Sequence, residues 1–361
     1  VTAVLVCRPC ARRTWLLTRL AGHLEVARAR IDELLALDDD ALIEAVAGDE
    51  RAAVRRAVAE HDPATAAATA TRAGLTAVCR CQDEYPDALR DLPGPPAVLH
   101  VGGGVERLNR YAAERPVAVV GARRPSAYGR DTARWLAGEL ARAGVTILSG
   151  MAMGIDGAAH DGALGVGGAT IAVLAGGADV AYPPSQRRLH ARIRERGVVV
   201  SELGPGVRPR RWMFPARNRI IAALAAATIV VQARERSGAL LTAEWARRLD
   251  RTLGAVPGQV SAPLSAGPHA LLRDGATLVT GAQDVLDSLY GVGVVGLAAA
   301  RPAPAEPELA VLLEAIADGE EGEAAFARAG LAGAAGFAAL AQLELDGYVR
   351  RAPGGRYAVR R

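Results

Sequence analysis

The chain has 361 residues, half of them hydrophobic, with 43 basic against 39 acidic side chains and a formal net charge of +4. That length suits two or three domains with ample material for a core, and no apolar run reaches the roughly 18 residues needed to cross a bilayer. There is no lysine, so all 43 cations are arginine; this excludes a Gly-Lys-Ser/Thr P-loop, a Schiff-base lysine and a lysine general base.

The first residues (VTAVLVCRPCARR) hold a short apolar patch with no charged leader before it, so no secretory signal and a cytoplasmic location are expected. Cys7 and Cys10 form a C-x-x-C, and Cys79 and Cys81 a C-x-C. Two such pairs could in principle build a zinc site, but the second spacing is tight for a zinc ribbon. Free thiols in a reducing compartment are the favoured reading, and no metal or cofactor is expected. Residues 11–80 are rich in Ala, Leu and Arg, with Leu16, Leu20, Leu24, Ile31, Leu34 and Leu35 at helical spacing and breaks near Asp38-Asp39-Asp40 and Asp62-Pro63. Arginines and acids balance over residues 1–80, and the spacing predicts a small helical domain there.

Between Asp83 and Gly104 the chain turns Pro- and Gly-rich, ending in the strand-like Ala97–Val101. Six nearly continuous apolar runs follow: Val117–Val120, Val145–Leu148, Thr170–Leu174, Val198–Val200, Thr228–Val231 and Leu253–Val256. Such runs suit strands buried on both faces. The segments between them are long enough for crossover helices, which predicts a doubly wound, mostly parallel α/β sheet over residues 83–290. Residues 291–307 read as a linker. The tail, 308–361, reads helix, helix, helix (about Ala335–Asp346), then two short strands around Pro353-Gly-Gly, the order of a winged helix. That third helix carries no arginine but has Glu344 and Asp346 at its end, which speaks against duplex reading and for protein contact or packing.

Ligands of doubly wound sheets sit beyond the carboxyl ends of the strands, at the point where strand order reverses. The segments that follow the strands are therefore the candidate site. GARRPSAYG (Gly121–Gly129) offers a tight turn, a helix N-terminus near Tyr128, the Ser126 hydroxyl and the cations Arg123 and Arg124, a phosphate-binding arrangement. It is not GxGxxG, so a dinucleotide is not indicated. SGMAMGIDGAAH (Ser149–His160) places Asp156 and His160 four apart, which reads more readily as a helix cap and its neighbour than as an acid–base pair. AGGADVAYPPSQRR (Ala175–Arg188) sets Arg187 and Arg188 at a helix start, and Arg187–Arg219 as a whole holds ten arginines against two acids. Within it Trp212-Met-Phe-Pro-Ala-Arg-Asn-Arg219 puts planar cations beside aromatic rings, a combination suited to phosphates and stacked bases. A solvated basic helix would show the same charge. Ser237-Gly238 opens a further helix. No Ser or Cys is paired with a His–acid couple, so the strand edge is read as holding a polyanion without cutting it.

In that order GARRPSAYG, SGMAMGIDGAAH, AGGADVAYPPSQRRL, SELGPG, FPARNRIIAAL, RSGALLTAEWA and VPGQ closely resemble the DNA-processing protein A family, also called Smf, over about Asp83–Leu289. The resemblance implies an extended Rossmann-like domain that dimerises and binds single-stranded DNA. It implies a non-enzymatic recombination mediator that protects incoming strands in natural transformation and loads the RecA recombinase on them. By motif, the DNA contacts would be Arg123, a cation near Arg187, Phe214, Arg217, Asn218 and Arg219, with Ser237 and Gly238 beside the groove. Trp212 is a second stacking candidate, while Arg192, Arg194 and Arg196 fall on a crossover helix as ordinary solvated charge. Met153 and Pro184 stand where the family often has a basic residue. Two other readings are a nucleotide or phosphoribose hydrolase using Asp156 or Glu202, and a duplex-reading regulator acting through the winged helix.

Overall fold

In a computed structural model the described residues are 6–295, 304, 306–351 and 356–359. The chain divides into a larger unit ending at Leu297 and a smaller one beyond it. The larger unit opens with six helices: α1 (Arg8–Arg19), α2 (Ala21–Val26), α3 (Ile31–Ala36), α4 (Asp39–Val46), α5 (Arg51–Glu60) and α6 (Pro63–Arg72). Asp38 caps α4 by accepting from the Ala41 N–H, and Asp62 caps α6, whose first residue is Pro63. All six apolar residues read at helical spacing are buried. They do not make a core of their own: Leu16, Leu20, Leu24, Leu34 and Leu35 pack in one cluster with Leu203, Trp212, Met213 and Ala216. The predicted helical region also ends early, because Thr76–Cys79 is strand β1. Four residues are too short a run to stand out beside an Ala-rich helix, and their partner strand supplies the pairing.

The sheet continues through β2 (Val98–Gly102), then α7 (Val105–Ala113), β3 (Val117–Val120), α8 (Ala127–Arg142), β4 (Ile147–Ser149), α9 (Ile155–Gly165), β5 (Thr170–Val173), α10 (Arg187–Arg196), β6 (Val198–Ser201), α11 (Met213–Leu224), β7 (Ala227–Val230), α12 (Gly238–Arg248), β8 (Thr252–Ala255), α13 (Ala266–Arg273), β9 (Thr277–Leu278) and α14 (Ala282–Tyr290). Its nine strands run in the order β1-β2-β6-β5-β4-β3-β7-β8-β9. The seven from β6 to β9 are mutually parallel, with β2 and β1 added antiparallel at one edge. Each of the six predicted apolar runs is a strand of this sheet, a Rossmann-like α/β fold with a helical layer at its front end. The added edge strands and the two-residue β9 were not all legible, being too short for a run to register.

Alternate side chains of one strand supply two cores, as the period of two demands. Val117 and Val119 face the helices α8, α9 and α14, while Ala118 and Val120 face α7, α11, α12 and α13. From β3 the chain builds outward to β6, then returns to start β7 on the other flank of β3. Strand order therefore reverses between β3 and β7, which pair from Val117 with Ala227 to Val120 with Val230.

The smaller unit holds α15 (Pro307–Ala317), α16 (Glu323–Arg328), α17 (Ala334–Leu345) and an antiparallel pair, β10 (Val349–Arg351) and β11 (Tyr357–Val359). Leu312, Phe326, Leu340, Leu343 and Val349 form its core. The expected Pro-Gly-Gly turn and residues 296–303 and 305 of the expected linker lie outside the described residues.

The four cysteines are unpaired by disulfides, and the fold brings them to one place. Cys7 at the head of α1 and Cys10 in its first turn meet Cys79 of β1 and Cys81 just beyond it. Some seventy residues separate the pairs, so only the docking of α1 on the sheet edge unites them.

Candidate nucleic-acid interface

The reversal between β3 and β7 opens a groove of about 650 Å³ beyond their carboxyl ends, lined by residues that include Arg123, Arg211, Phe214, Arg217, Asn218 and Arg236. The turn after β3 has no room for a side chain at Gly121: a Cβ there would lie 2.7 Å from the Ile155 side chain and 2.8 Å from the Gln232 carbonyl oxygen. Ser126 caps α8, its Oγ accepting from the Gly129 N–H at 3.1 Å. Gln232, after β7, holds the same residue twice: its Nε2 donates to the Ser126 Oγ at 2.9 Å, and its Oε1 accepts from the Ser126 N–H at 3.0 Å. Both acceptor positions of the Ser126 hydroxyl are thus used in the turn, and Ser126, Arg123 and Arg124 are all exposed.

The guanidinium of Arg123 sits 4.9 Å from the centre of the Phe214 ring, and Tyr182 lies against the same ring at 5.8 Å with planes tilted by 51°. Three elements distant in sequence so present a cation and two aromatic faces at one spot. Tyr182 and Phe214 stay partly open to solvent, which is what stacking on a base needs.

Helix α11 sorts the basic motif by its period. Phe214, Arg217, Asn218 and Ile221 are spaced i, i+3, i+4 and i+7, one helical face, and all four line the groove. Arg217 is only 7% exposed. Its Nη1 donates to the carbonyls of Gly150, at 2.6 Å, and Val173. A Cβ on Gly150 would stand 2.2 Å from that Nη1, so the glycine makes way for the guanidinium. Burial lowers the Arg217 pKa to about 10, with Asp156 opposing the shift, and the group stays charged at neutral pH. Asp156 accepts from the Gly150 and Ala152 N–H groups at 3.2 and 3.3 Å. Burial raises its pKa above the ordinary value, against the pull of Arg217. Asn218 donates from Nδ2 to the Gly238 carbonyl at 3.0 Å, tying α11 to the start of α12, which Ser237 caps. Asn218, Ser237 and Gly238 line the groove.

Arg219 goes elsewhere. Two residues beyond Arg217, it projects to the opposite side of α11, is 0% exposed, and donates from Nη2 to both Glu202 oxygens at 2.6 and 2.8 Å. It cannot meet a ligand in the groove. Trp212, the second stacking candidate, is 1% exposed and packs in the core of the helical layer. Arg187 is exposed but lines a separate recess with Asp179, His190, Arg194 and Glu195, and Arg188 is exposed on the same helix start. Arg192 pairs with Asp161 at 2.7 Å, and Arg194 donates to the Ala73 and Gly74 carbonyls, so α10 spends charge on holding its neighbours. Only Arg196 of the three is plain exposed charge.

The groove also holds two exposed cations that sequence reading passed over, Arg211 before α11 and Arg236 before α12. Their signal was present: each lies within three residues of a motif already singled out, on the segment that follows a strand. His160 is fully buried, its Nδ1 against the Thr170 hydroxyl at 2.7 Å, and its pKa falls to about 3 through burial. The pair Asp156–His160 is built into the fold and offers no free acid or base.

The family model for DNA recombination-mediator protein A matches residues 76–290. A putative DNA processing protein DprA of Mycobacterium tuberculosis is 49% identical over 212 residues, 59% of this chain and 54% of that protein. The chain thus spans about half the length of that relative. Protein Smf of Escherichia coli is 38% identical over 286 residues, 77% of this chain and 75% of its own length. Among solved structures, DNA processing protein A of Streptococcus pneumoniae superposes with a TM-score of 0.63 at 33% identity, covering 78% of this chain and 96% of that one. That of Helicobacter pylori, whose structure addresses its single-stranded DNA binding mode, gives 0.52 at 29%, covering 60% and 97%.

Proposed function

Because the chain belongs to the DNA recombination-mediator protein A family, we propose that it binds single-stranded DNA in the groove between β3 and β7 and acts as a recombination mediator without chemistry of its own. One observation carries the reading: Arg123, Phe214 and Tyr182 converge at the strand-order reversal, with Arg211, Arg217 and Arg236 along the same groove. A base stacks on Phe214, phosphates meet Arg123, Arg211 and Arg236, and Arg217 supplies fixed positive potential from the floor. Stacking is sequence-tolerant because every base has a π-face, and arginine suits phosphate by its planar fork. Arg124 and the Arg187–Arg188 start of α10 flank the groove as outer contacts for a longer strand. Arg219 serves by holding α11 to Glu202.

The same reading extends to a homodimer that protects the strand and loads RecA on it, in natural transformation. The helix-helix-helix-ribbon order of residues 308–361 supports a winged helix used for protein contact: α17 carries no arginine. For function we divide the chain into the helical layer that ends with α6, the sheet region from β1 to α14, a linker after it, and the part that begins with α15. No helix among the described residues is long and apolar enough to cross a membrane. The hydrolase alternative finds little support, since Glu202 is committed to Arg219 and Asp156 to backbone N–H groups.

The test is fluorescence anisotropy with labelled single strand and duplex across a salt series, with and without RecA. Three neutralised phosphates give a slope of log affinity on log salt of about −2.1, roughly 0.7 for each. Salt-insensitive binding, or equal affinity for duplex, overturns the assignment. Release of base from nucleoside monophosphates would favour the hydrolase.

A further inference from the structure

Outside the groove, the described residues bring four cysteines together in one cluster. Their sulfur atoms all lie within 4.8 Å of one another, with Cys7 to Cys81 at 3.8 Å and Cys10 to Cys81 at 3.7 Å. These separations are far too long for a disulfide, whose sulfurs stand about 2.0 Å apart. They match the edge of a tetrahedron around one ion: four sulfurs each about 2.3 Å from zinc are about 3.8 Å from each other. A cluster of several irons needs its thiolates further apart.

Both arms are built to hold still. Cys7 is the residue that precedes α1 and Cys10 lies in its first turn, so one rigid helix start carries both sulfurs. The second arm looked too tight in sequence, but its backbone resolves the difficulty. After Cys79 the chain turns at once, the Gln82 N–H donating to the Cys79 carbonyl at 3.0 Å and the Gln82 side chain accepting from the Cys79 N–H at 2.7 Å. Arg90 then donates to the Arg80 and Gln82 carbonyls, at 2.6 and 2.7 Å. Cys81 is thereby folded back beside Cys79 although one residue separates them. Cys10 and Cys79 are buried against Ala97 and Val98, an apolar wall behind two of the sulfurs, while Cys7 is half-buried and Cys81 exposed.

We propose that Cys7, Cys10, Cys79 and Cys81 bind one structural zinc ion that clamps α1 to the sheet edge. Binding releases the four thiol protons to solvent and involves no electron transfer. All four positions of the tetrahedron are filled by sulfur, so no water is left to activate and the site is not catalytic. Its role is mechanical. The clamp fixes the helical layer whose core receives Trp212 and Met213, the residues immediately before Phe214.

The experiment uses the full chain, purified without chelator, for metal analysis, cobalt substitution and intact mass under denaturing conditions. About one zinc per chain is expected, with four reduced thiols by mass and, after exchange, the intense visible bands of tetrahedral thiolate-bound cobalt. Chelator treatment lowers the melting temperature, and zinc restores it where magnesium does not. Cys81→Ser, at an exposed turn, leaves a folded protein that no longer retains zinc against a chromophoric chelator. Absence of zinc both as purified and after reconstitution, iron with sulfide, a mass lowered by oxidised pairs, or full retention by Cys81→Ser would each overturn the assignment.

Discussion

Helices α10 and α11 belong to one basic run, yet their arginines live under different physics. On α10, Arg192 binds Asp161 and Arg194 two backbone carbonyls, and the recess that the helix lines is separate from the groove. On α11, Arg217 is fixed beneath the groove by two backbone carbonyls, and Arg219 is sealed in a pair with Glu202. Charge density alone drew attention to both. Burial and helical phase decide which cation can present potential to a ligand, which one holds the helix, and which is spent on a neighbour.

The sharpest break of that contrast is Arg219→Ala, which strands the Glu202 carboxylate in the core. It is expected to cost about 3–5 kcal/mol of stability, whereas Arg219→Met with Glu202→Met, an apolar pair of similar volume, recovers most of it; urea unfolding measures both. Arg192→Ala on α10 in the same assay stays within about 1 kcal/mol of the parent.

Acid separates buried from surface polar groups in the same way. Burial holds His160 at about 3 and His100 at about 4 in the folded chain, against about 6.5 when unfolded. Between those values the unfolded state binds the extra protons, so stability is full above pH 6.5 and falls as pH drops toward 4. Two protons amount to about 2.7 kcal/mol for each pH unit well inside the window. Unfolding curves from pH 7 to 4.5 report it, and a flat profile would mean that these histidines are reachable by solvent.

The remaining effects are on binding. Phe214→Ala is expected to weaken single-strand affinity by about 1–3 kcal/mol, the worth of one stacked base, with stability nearly intact. Arg123→Ala removes one phosphate contact, so the salt slope shrinks by about 0.7 while binding weakens alike on all sequences. Arg196→Ala, on the exposed face of α10, leaves affinity and slope close to wild type. Were its loss as large as that of Arg123→Ala, the functional boundary drawn between the two helices would fail.

Much of this was legible from the chain alone. Six apolar runs of the length and composition of doubly buried strands located the sheet, because a strand covered on both faces must be apolar at every position. The glycine turns and cations after those strands located the groove, since a doubly wound sheet leaves its crevice at the reversal of strand order. Arg123 was read from the turn after its strand, Phe214, Arg217 and Asn218 as contacts through the family motif, and the four lie together. Arg219 was legible in principle, because a spacing of two on a helix already points away from Arg217.

What the sequence could not decide concerns groups whose partners are remote along the chain. Trp212 looks like its neighbour Phe214, yet one is buried under the amino-terminal helices and the other faces the groove. That outcome depends on where those helices dock. Tyr182 joins Phe214 only because the connections after β5 and β6 meet above the sheet. Cys10 and Cys81 are 71 positions apart and 3.7 Å apart in space. Local pattern determines elements and the edge where a site must lie, since both follow from the periodicity of one strand or helix. Which side chains share that site, and which are consumed in holding it, is decided by packing between elements, and no short-range spacing encodes it.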